Sequence, residues 1–175
     1  MNIDPLKDKK SENNREAIIT IEHLSHWFSD QEVGLDDVTL TISSGEFVLL
    51  AGPNGSGKST LLKHLNGILS PSKGTILLRN RPVSEDLQRA RRMVGMVFQD
   101  ADSQIVGETV WEDAAFGPKN LSYDKSMVHE KVQTVLETVG LAHLAEKPPY
   151  LLSGGEKRRL AIAGVLAMDP QIIVF

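Results

Sequence analysis

The residues in this sequence with the most specific chemistry form one short run: Gly52, Pro53, Asn54, Gly55, Ser56, Gly57, Lys58, Ser59 and Thr60. They fit the spacing G-x-x-x-x-G-K-[ST], which suits a polyphosphate bound with a cation. Glycines let the backbone wrap closely, so successive N–H groups and a helix N-terminus can face phosphate oxygens. Lys58 then supplies a point charge to the outer phosphates, and the Ser59 hydroxyl is placed to ligate Mg²⁺. The same run is not a dinucleotide fingerprint, because a lysine and a serine after the last glycine serve phosphate and magnesium rather than a pyrophosphate on bare backbone.

A second run, Leu152, Ser153, Gly154, Gly155 and Glu156, pairs an S-x-x-E capping box with two consecutive glycines. Helix capping alone explains Ser153 and Glu156. The glycines add a place where backbone can approach an anion, and both readings stand on these residues.

These runs need elements to hold them. Ile18 to Ile21 is β-branched and Val38 to Ile42 alternates, so both read as strands of a half-buried antiparallel layer. Phe47 to Ala51 is continuously apolar and reads as a strand buried on both faces, leading into the glycine-rich turn. Leu61, Leu62, Leu65, Ile68 and Leu69 recur at helical spacing after it, with Pro71 and Gly74 beyond. Strands are expected at Thr75 to Leu78 and Val94 to Phe98, with a charged helix near Glu85 to Arg92 between them. From about Thr109 the period is helical, and Met127, Val128, Val132, Val135, Leu136 and Val139 make an apolar stripe. Ser153 opens a further helix, and Ile172 to Phe175 reads as a buried strand.

The 175 residues fit one domain, and 41% hydrophobic with 24% charged content is ordinary for a globular chain. A formal charge of −4 argues against a general nucleic-acid binder, so the clusters Arg89, Arg91, Arg92 and Lys157, Arg158, Arg159 read as solvated faces. Without cysteine there is no disulfide frame, thiolate metal site or cysteine nucleophile. Met1 to Arg15 holds no apolar core of a leader, and no segment approaches the ~20 apolar residues of a membrane span. Residues 1–16 are expected to be a mobile tail, and any membrane role is expected to come through a partner. His23, His26, His64, His129 and His143 show no metal-ligand spacing and read as solvated or structurally bonded.

With the phosphate loop in place, LSGGEKRR resembles the signature motif of ABC ATPases, and the resemblance covers the chain after about Ala17. It implies an α/β P-loop fold with an antiparallel β layer and an inserted helical subdomain at about 101–167, in a core of 17–100 and 168–175. Gln99, in Val97-Phe98-Gln99, takes the place of the Q-loop glutamine, which implies a contact to Mg²⁺ and attacking water and a sensor of a transmembrane partner. Phe28 stands where the family stacks an aromatic ring on adenine, with core packing as the alternative. The stretch VFQDADSQIVGETVWEDAAFGPKN is similar to the ATPases of energy-coupling factor importers and their cobalt and nickel relatives, although Ala101 stands where proline is expected. There Trp111 and Phe116 read either as core of the helical subdomain or as contacts to a coupling helix.

The resemblance further implies ATP and Mg²⁺ as ligands, a second ABC ATPase in a homo- or heterodimer, a transmembrane subunit, and a peripheral place on the cytoplasmic face of the membrane. Gly52 to Thr60 and Gln99 would serve the chain's own ATP, while Leu152 to Glu156 would close over the partner's. Ile172-Ile173-Val174-Phe175 looks like the apolar half of a Walker B strand without the aspartate and glutamate expected after it, so the chain is expected to be truncated there and to lack turnover alone. Two other readings are a soluble ABC protein working on nucleic acid or the ribosome, and a non-catalytic nucleotide-dependent interaction module.

Overall fold

The computed structural model describes residues 15–29 and 32–175, and the chain divides into two compact units, one up to Arg91 and one from Arg92. The expected tail falls almost wholly outside the described residues. Of its last two, Glu16 accepts from the Arg79 guanidinium at 3.1 Å and its carbonyl accepts from Ser44 N–H at 2.9 Å.

The first unit is built on an antiparallel sheet of β1 (Ala17–Ser29), β2 (Glu32–Ser43), β3 (Lys73–Leu78) and β4 (Arg81–Pro82), in the order β2-β1-β3-β4. Ile19 and Ile21 of the central strand lie opposite Ile42 and Leu40 on one side and Leu78 and Ile76 on the other. Because side chains alternate between faces, this register gathers Ile19, Ile21, Ile76 and Leu78 into the core. The ladder slips between Leu24 and His26 and again before Trp27, which leaves Leu24, Ser25 and His26 buried in succession and Phe28 exposed.

Helix α1 (Lys58–Leu65) buries Leu61, His64 and Leu65 on one face. It is shorter than the apolar spacing suggests: the chain leaves the helix at Asn66, Gly67 takes φ 70°, and Ile68 is exposed. Leu87–Met93 forms α2 after a 3-10 turn at Val83–Glu85. Arg89 is not a solvated charge, since its guanidinium donates to the Leu78 carbonyl at 2.8 Å; Arg91 and Arg92 are exposed.

Phe47 to Ala51 corrects the expectation of a buried strand. The segment is not a strand, and Phe47 and Leu49 are 94% and 67% exposed. An apolar run becomes a buried strand only with ladder partners beside it and cover on its faces, and no strand among the described residues pairs with this one.

In the second unit, β5 (Val94–Met96) and β6 (Ile172–Val174) pair in parallel, with Val94 opposite Ile172 and Met96 opposite Val174. Both elements are narrower than expected. β5 stops at Met96, although the Val97 N–H still donates to the Val174 carbonyl at 2.9 Å, and the Phe98 N–H goes to the Gln104 side chain. In the other strand only Val174 is buried, while Phe175 is 73% exposed. Helices α3 (Val110–Asn120), α4 (Lys125–Thr138) and α5 (Gly154–Leu166) pack around Val110, Ala114, Val128, Val132, Leu136, Leu141 and Leu160. The expected stripe on α4 resolves into a buried line of Val128, Val132 and Leu136, flanked by half-buried Val135 and Val139.

Helix α4 opens on Asp124, whose carboxylate accepts from Met127 N–H at 2.8 Å and from the Ser126 hydroxyl at 2.7 Å. These bonds hold its pKa below the ordinary carboxylate value, the Met127 N–H most of all. A carboxylate depressed on folding contributes above its unfolded pKa and loses that contribution as pH falls through the folded value. Asp124→Asn should therefore flatten the acid limb of the thermal-stability profile below about pH 4. An unchanged acid limb would contradict this.

Candidate functional site

Helix α1 begins directly on the lysine of the phosphate loop. Its N-cap, Gly57, has φ 86° and ψ 3°, a left-handed conformation that glycine adopts without strain. Space forbids a side chain there as well, because a Cβ would lie 2.5 Å from the Gly34 carbonyl oxygen. Thus α1 starts with no side-chain cap and no acidic residue in its first turn, whereas α3, α4 and α5 are capped by Thr109, Asp124 and Ser153. The orphan N–H groups and positive end of α1 are left for an external anion.

Lys58 lies across the loop that precedes it. Its Nζ donates to the carbonyls of Gly52 at 2.9 Å and Pro53 at 2.8 Å, and reaches the Ser56 hydroxyl at 3.5 Å. Ser59 is exposed on the first turn of α1. No group of three or more His, Cys, Asp or Glu among the described residues could hold a metal. A magnesium ion at Ser59 would be held by that hydroxyl together with phosphate oxygens and water, which is how this cation is commonly held.

Phe28, at the end of β1, is 54% exposed, which sets aside core packing. Its ring rests on Gly34 of β2, where a Cβ would come within 2.8 Å of Phe28 Cε2. Since Gly57 sits on the carbonyl of the same Gly34, the exposed ring and the phosphate loop share one seat. Sequence spacing gave no sign of Gly34, nor of a pair of histidines beneath this region: His64 Nε2 lies 3.3 Å from His26 Nδ1. Both are buried, His64 completely. Burial is the main cause that lowers the His64 pKa.

In the second unit Gln99 is exposed, on a segment held by its neighbours. Phe98 N–H donates to Gln104 Oε1 at 2.9 Å, and Gln104 Nε2 donates to the Ala161 carbonyl of α5 at 3.3 Å. Lys157 of α5 forms an ion pair with Asp102, so that basic cluster is also not merely a solvated face. Asp113 is buried, and one carboxylate oxygen accepts from Val106 N–H at 2.7 Å and Gly107 N–H at 3.0 Å. Gly107 is pressed so closely on α3 that a Cβ would lie 2.3 Å from Asp113 N. Sequence reading missed Gln104 and Asp113; the available hint was a carboxylate in the first turn of a helix, just after a glycine.

The run Leu152 to Glu156 forms the expected capping box at the start of α5. Ser153 Oγ accepts from Glu156 N–H at 3.3 Å, while the Glu156 carboxylate accepts from Ser153 N–H at 2.7 Å and from its hydroxyl at 2.8 Å. These bonds, led by the Ser153 N–H, draw the Glu156 pKa below the ordinary carboxylate value. Gly154 and Gly155 are exposed, and neither would meet a neighbour if given a Cβ, so local packing does not require them. Ser153→Ala should cost about 1 kcal/mol of stability by loss of the cap, read in a denaturant titration; an unaltered midpoint would contradict the capping role. Trp111 packs half-buried against the helical core and its ring lies 4.9 Å from His129, whereas Phe116 is 53% exposed and is not core.

Comparison with known proteins bears on what these pieces belong to. An energy-coupling factor transporter ATP-binding protein (EcfA2) of Methanospirillum hungatei is 46% identical over 91% of this chain and 41% of its own length. A putative ABC transporter ATP-binding protein of Geobacter sulfurreducens is 50% identical over 90% of the chain and 64% of its own length. Among solved structures, CbiO1 from Clostridium perfringens, described as part of the ABC transporter complex CbiONQ, superposes with a TM-score of 0.82 at 38% identity, covering 90% of this chain and 64% of that one. The chain thus spans about two fifths to two thirds of the length of these relatives. Residues 35–175 match the ABC transporter family, and the chain, with its phosphate loop, its Ser-Gly-Gly helix start and this shared fold, belongs to that family.

Proposed function

We propose that this chain is the nucleotide-binding part of an ATPase subunit that drives an importer of the energy-coupling factor or cobalt/nickel type. The observation that carries this reading is the uncapped start of α1, with Lys58 lying over the loop before it. An anion completes such a helix start, and a triphosphate carries enough charge to engage both the N–H groups and the lysine.

Gly52 to Thr60 would cradle the phosphates, with Lys58 on the outer groups and Ser59 as a magnesium ligand. Phe28 would stack on adenine. Gln99 would reach magnesium and the attacking water and report to the membrane partner; its exposed position on a segment held by Gln104 suits a contact made only when partners meet. Leu152 to Glu156 would meet the ATP of a second ABC ATPase, through the N–H groups of Gly154 and Gly155 and the Ser153 hydroxyl. That hydroxyl is engaged with Glu156, so contact with phosphate requires an exchange of partners.

No helix among the described residues is long and apolar enough to cross a membrane. Attachment to the cytoplasmic face would come through a transmembrane subunit. A photo-crosslinking residue at position 99 of the full-length protein in its host tests this: the expected adduct is with an integral membrane protein. Adducts confined to ribosomal proteins or RNA would overturn the assignment.

A further inference from the structure

The buried histidine pair links two elements. His64 Nδ1 lies 2.7 Å from the Thr60 carbonyl, which can only accept, so Nδ1 carries the proton and Nε2 of the neutral ring is an acceptor. His26 Nδ1 lies 3.1 Å from the Ser70 carbonyl, which also faces His64, and the two rings meet with His26 Nδ1 and His64 Nε2 3.3 Å apart. The chain of contacts runs from His26 to His64 to Thr60, that is, from β1 into the first turn of α1. Burial, which disfavours the charged imidazole, supports the neutral form of His64.

Both ends of the chain meet residues of the proposed nucleotide site. The His26 ring stands perpendicular to Phe28, centroids 4.7 Å apart. Thr60 closes the phosphate loop. The Gly34 seat gives a second link between Phe28 and the loop, but it is only a steric contact, whereas the histidine chain is hydrogen-bonded and ties side chain to helix.

We propose that His26 and His64 are positioning residues that hold the Phe28 ring in register with the first turn of α1, so that base and triphosphate are bound together rather than separately. This rests on the reading of Phe28 as the adenine platform. Without the relay, phosphate binding would persist while the advantage conferred by the base would fall.

The test compares the Kd for Mg-ATP with that for Mg-tripolyphosphate, which lacks base and ribose, by calorimetry on the whole chain. Stacking on an aromatic ring should give ATP a preference on the order of tenfold over tripolyphosphate. His64→Leu, which fills the space without hydrogen bonds, should remove most of that preference and leave tripolyphosphate affinity within about twofold. His64→Gln, which keeps one donor and one acceptor, should restore it. His26→Leu should behave as His64→Leu. If Phe28→Ala leaves the preference intact, the adenine reading fails and this proposal with it. If Phe28→Ala abolishes the preference while both leucine variants retain it, the adenine reading stands and the relay is overturned. Equal loss of affinity for both ligands in His64→Leu, or no rescue by glutamine, would also overturn it.

Discussion

Lys58→Ala should weaken Mg-ATP binding by about ten- to a hundredfold, without loss of thermal stability in the nucleotide-free protein. The magnitude follows from what the ammonium does. A charge-assisted hydrogen bond contributes about 1.5–3 kcal/mol, and each 1.4 kcal/mol is tenfold in Kd. Its present acceptors, the Gly52 and Pro53 carbonyls, lie on an exposed loop where water can replace it, so the alanine variant leaves no polar group stranded. Lys58→Arg retains charge but presents a planar fork in place of a compact ammonium, and should recover only part of the affinity. Calorimetry with Mg-ATP checks both. Wild-type affinity in Lys58→Ala would show that the loop does not engage phosphate through this lysine.

The largest expected effect on stability lies away from the phosphate loop. Asp113→Ala should cost about 1–3 kcal/mol, because it removes the buried carboxylate that holds the N–H groups of Val106 and Gly107, although Val106 is exposed and water replaces part of what is lost. For a chain of this size that corresponds to a fall in melting temperature of roughly 5 °C. Asp113→Asn should cost far less, since both bonds go to a single oxygen that an amide also provides. The comparison separates loss of an acceptor from loss of charge. If alanine melts within about 2 °C of wild type, the segment between Gln99 and α3 does not depend on this carboxylate.

The parts of the molecule legible in the sequence are those whose cause is local. A glycine-rich loop before a helix and a serine three residues ahead of a glutamate are complete in a few residues, and the α1 start and the α5 capping box follow from them. Pieces of three strands of the antiparallel sheet were legible for the same reason, Ile18 to Ile21, Val38 to Ile42 and Thr75 to Leu78, but β1 and β2 extend well beyond them and β4 was not foreseen. Phe47 to Ala51 was misread because burial of an apolar run is decided by what lies beside it in space. The ends of α1, β5 and β6 were set too far out and those of β1 and β2 too near, since apolar spacing carries no sign of where a glycine turns left-handed or how far a ladder runs. Bonds between distant residues left no trace at all. His26 and His64 are 38 residues apart and Gln104 and Ala161 are 57 apart, and no spacing rule joins them. Exposure, by contrast, did separate alternatives left open by composition: Phe28 and Phe116 face outward, and Trp111 packs inward.

The central claim is that the open start of α1 takes the triphosphate of Mg-ATP. Thermal unfolding with Mg-ATP, Mg-AMP and magnesium alone tests it most directly. A ligand present at a thousand times its Kd adds about 4 kcal/mol to the folded state. Mg-ATP should therefore raise the melting temperature by several degrees, with little change from Mg-AMP, whose single phosphate cannot span the loop from Gly52 to Lys58. Equal shifts with Mg-AMP and Mg-ATP, or no shift with either, would contradict the account.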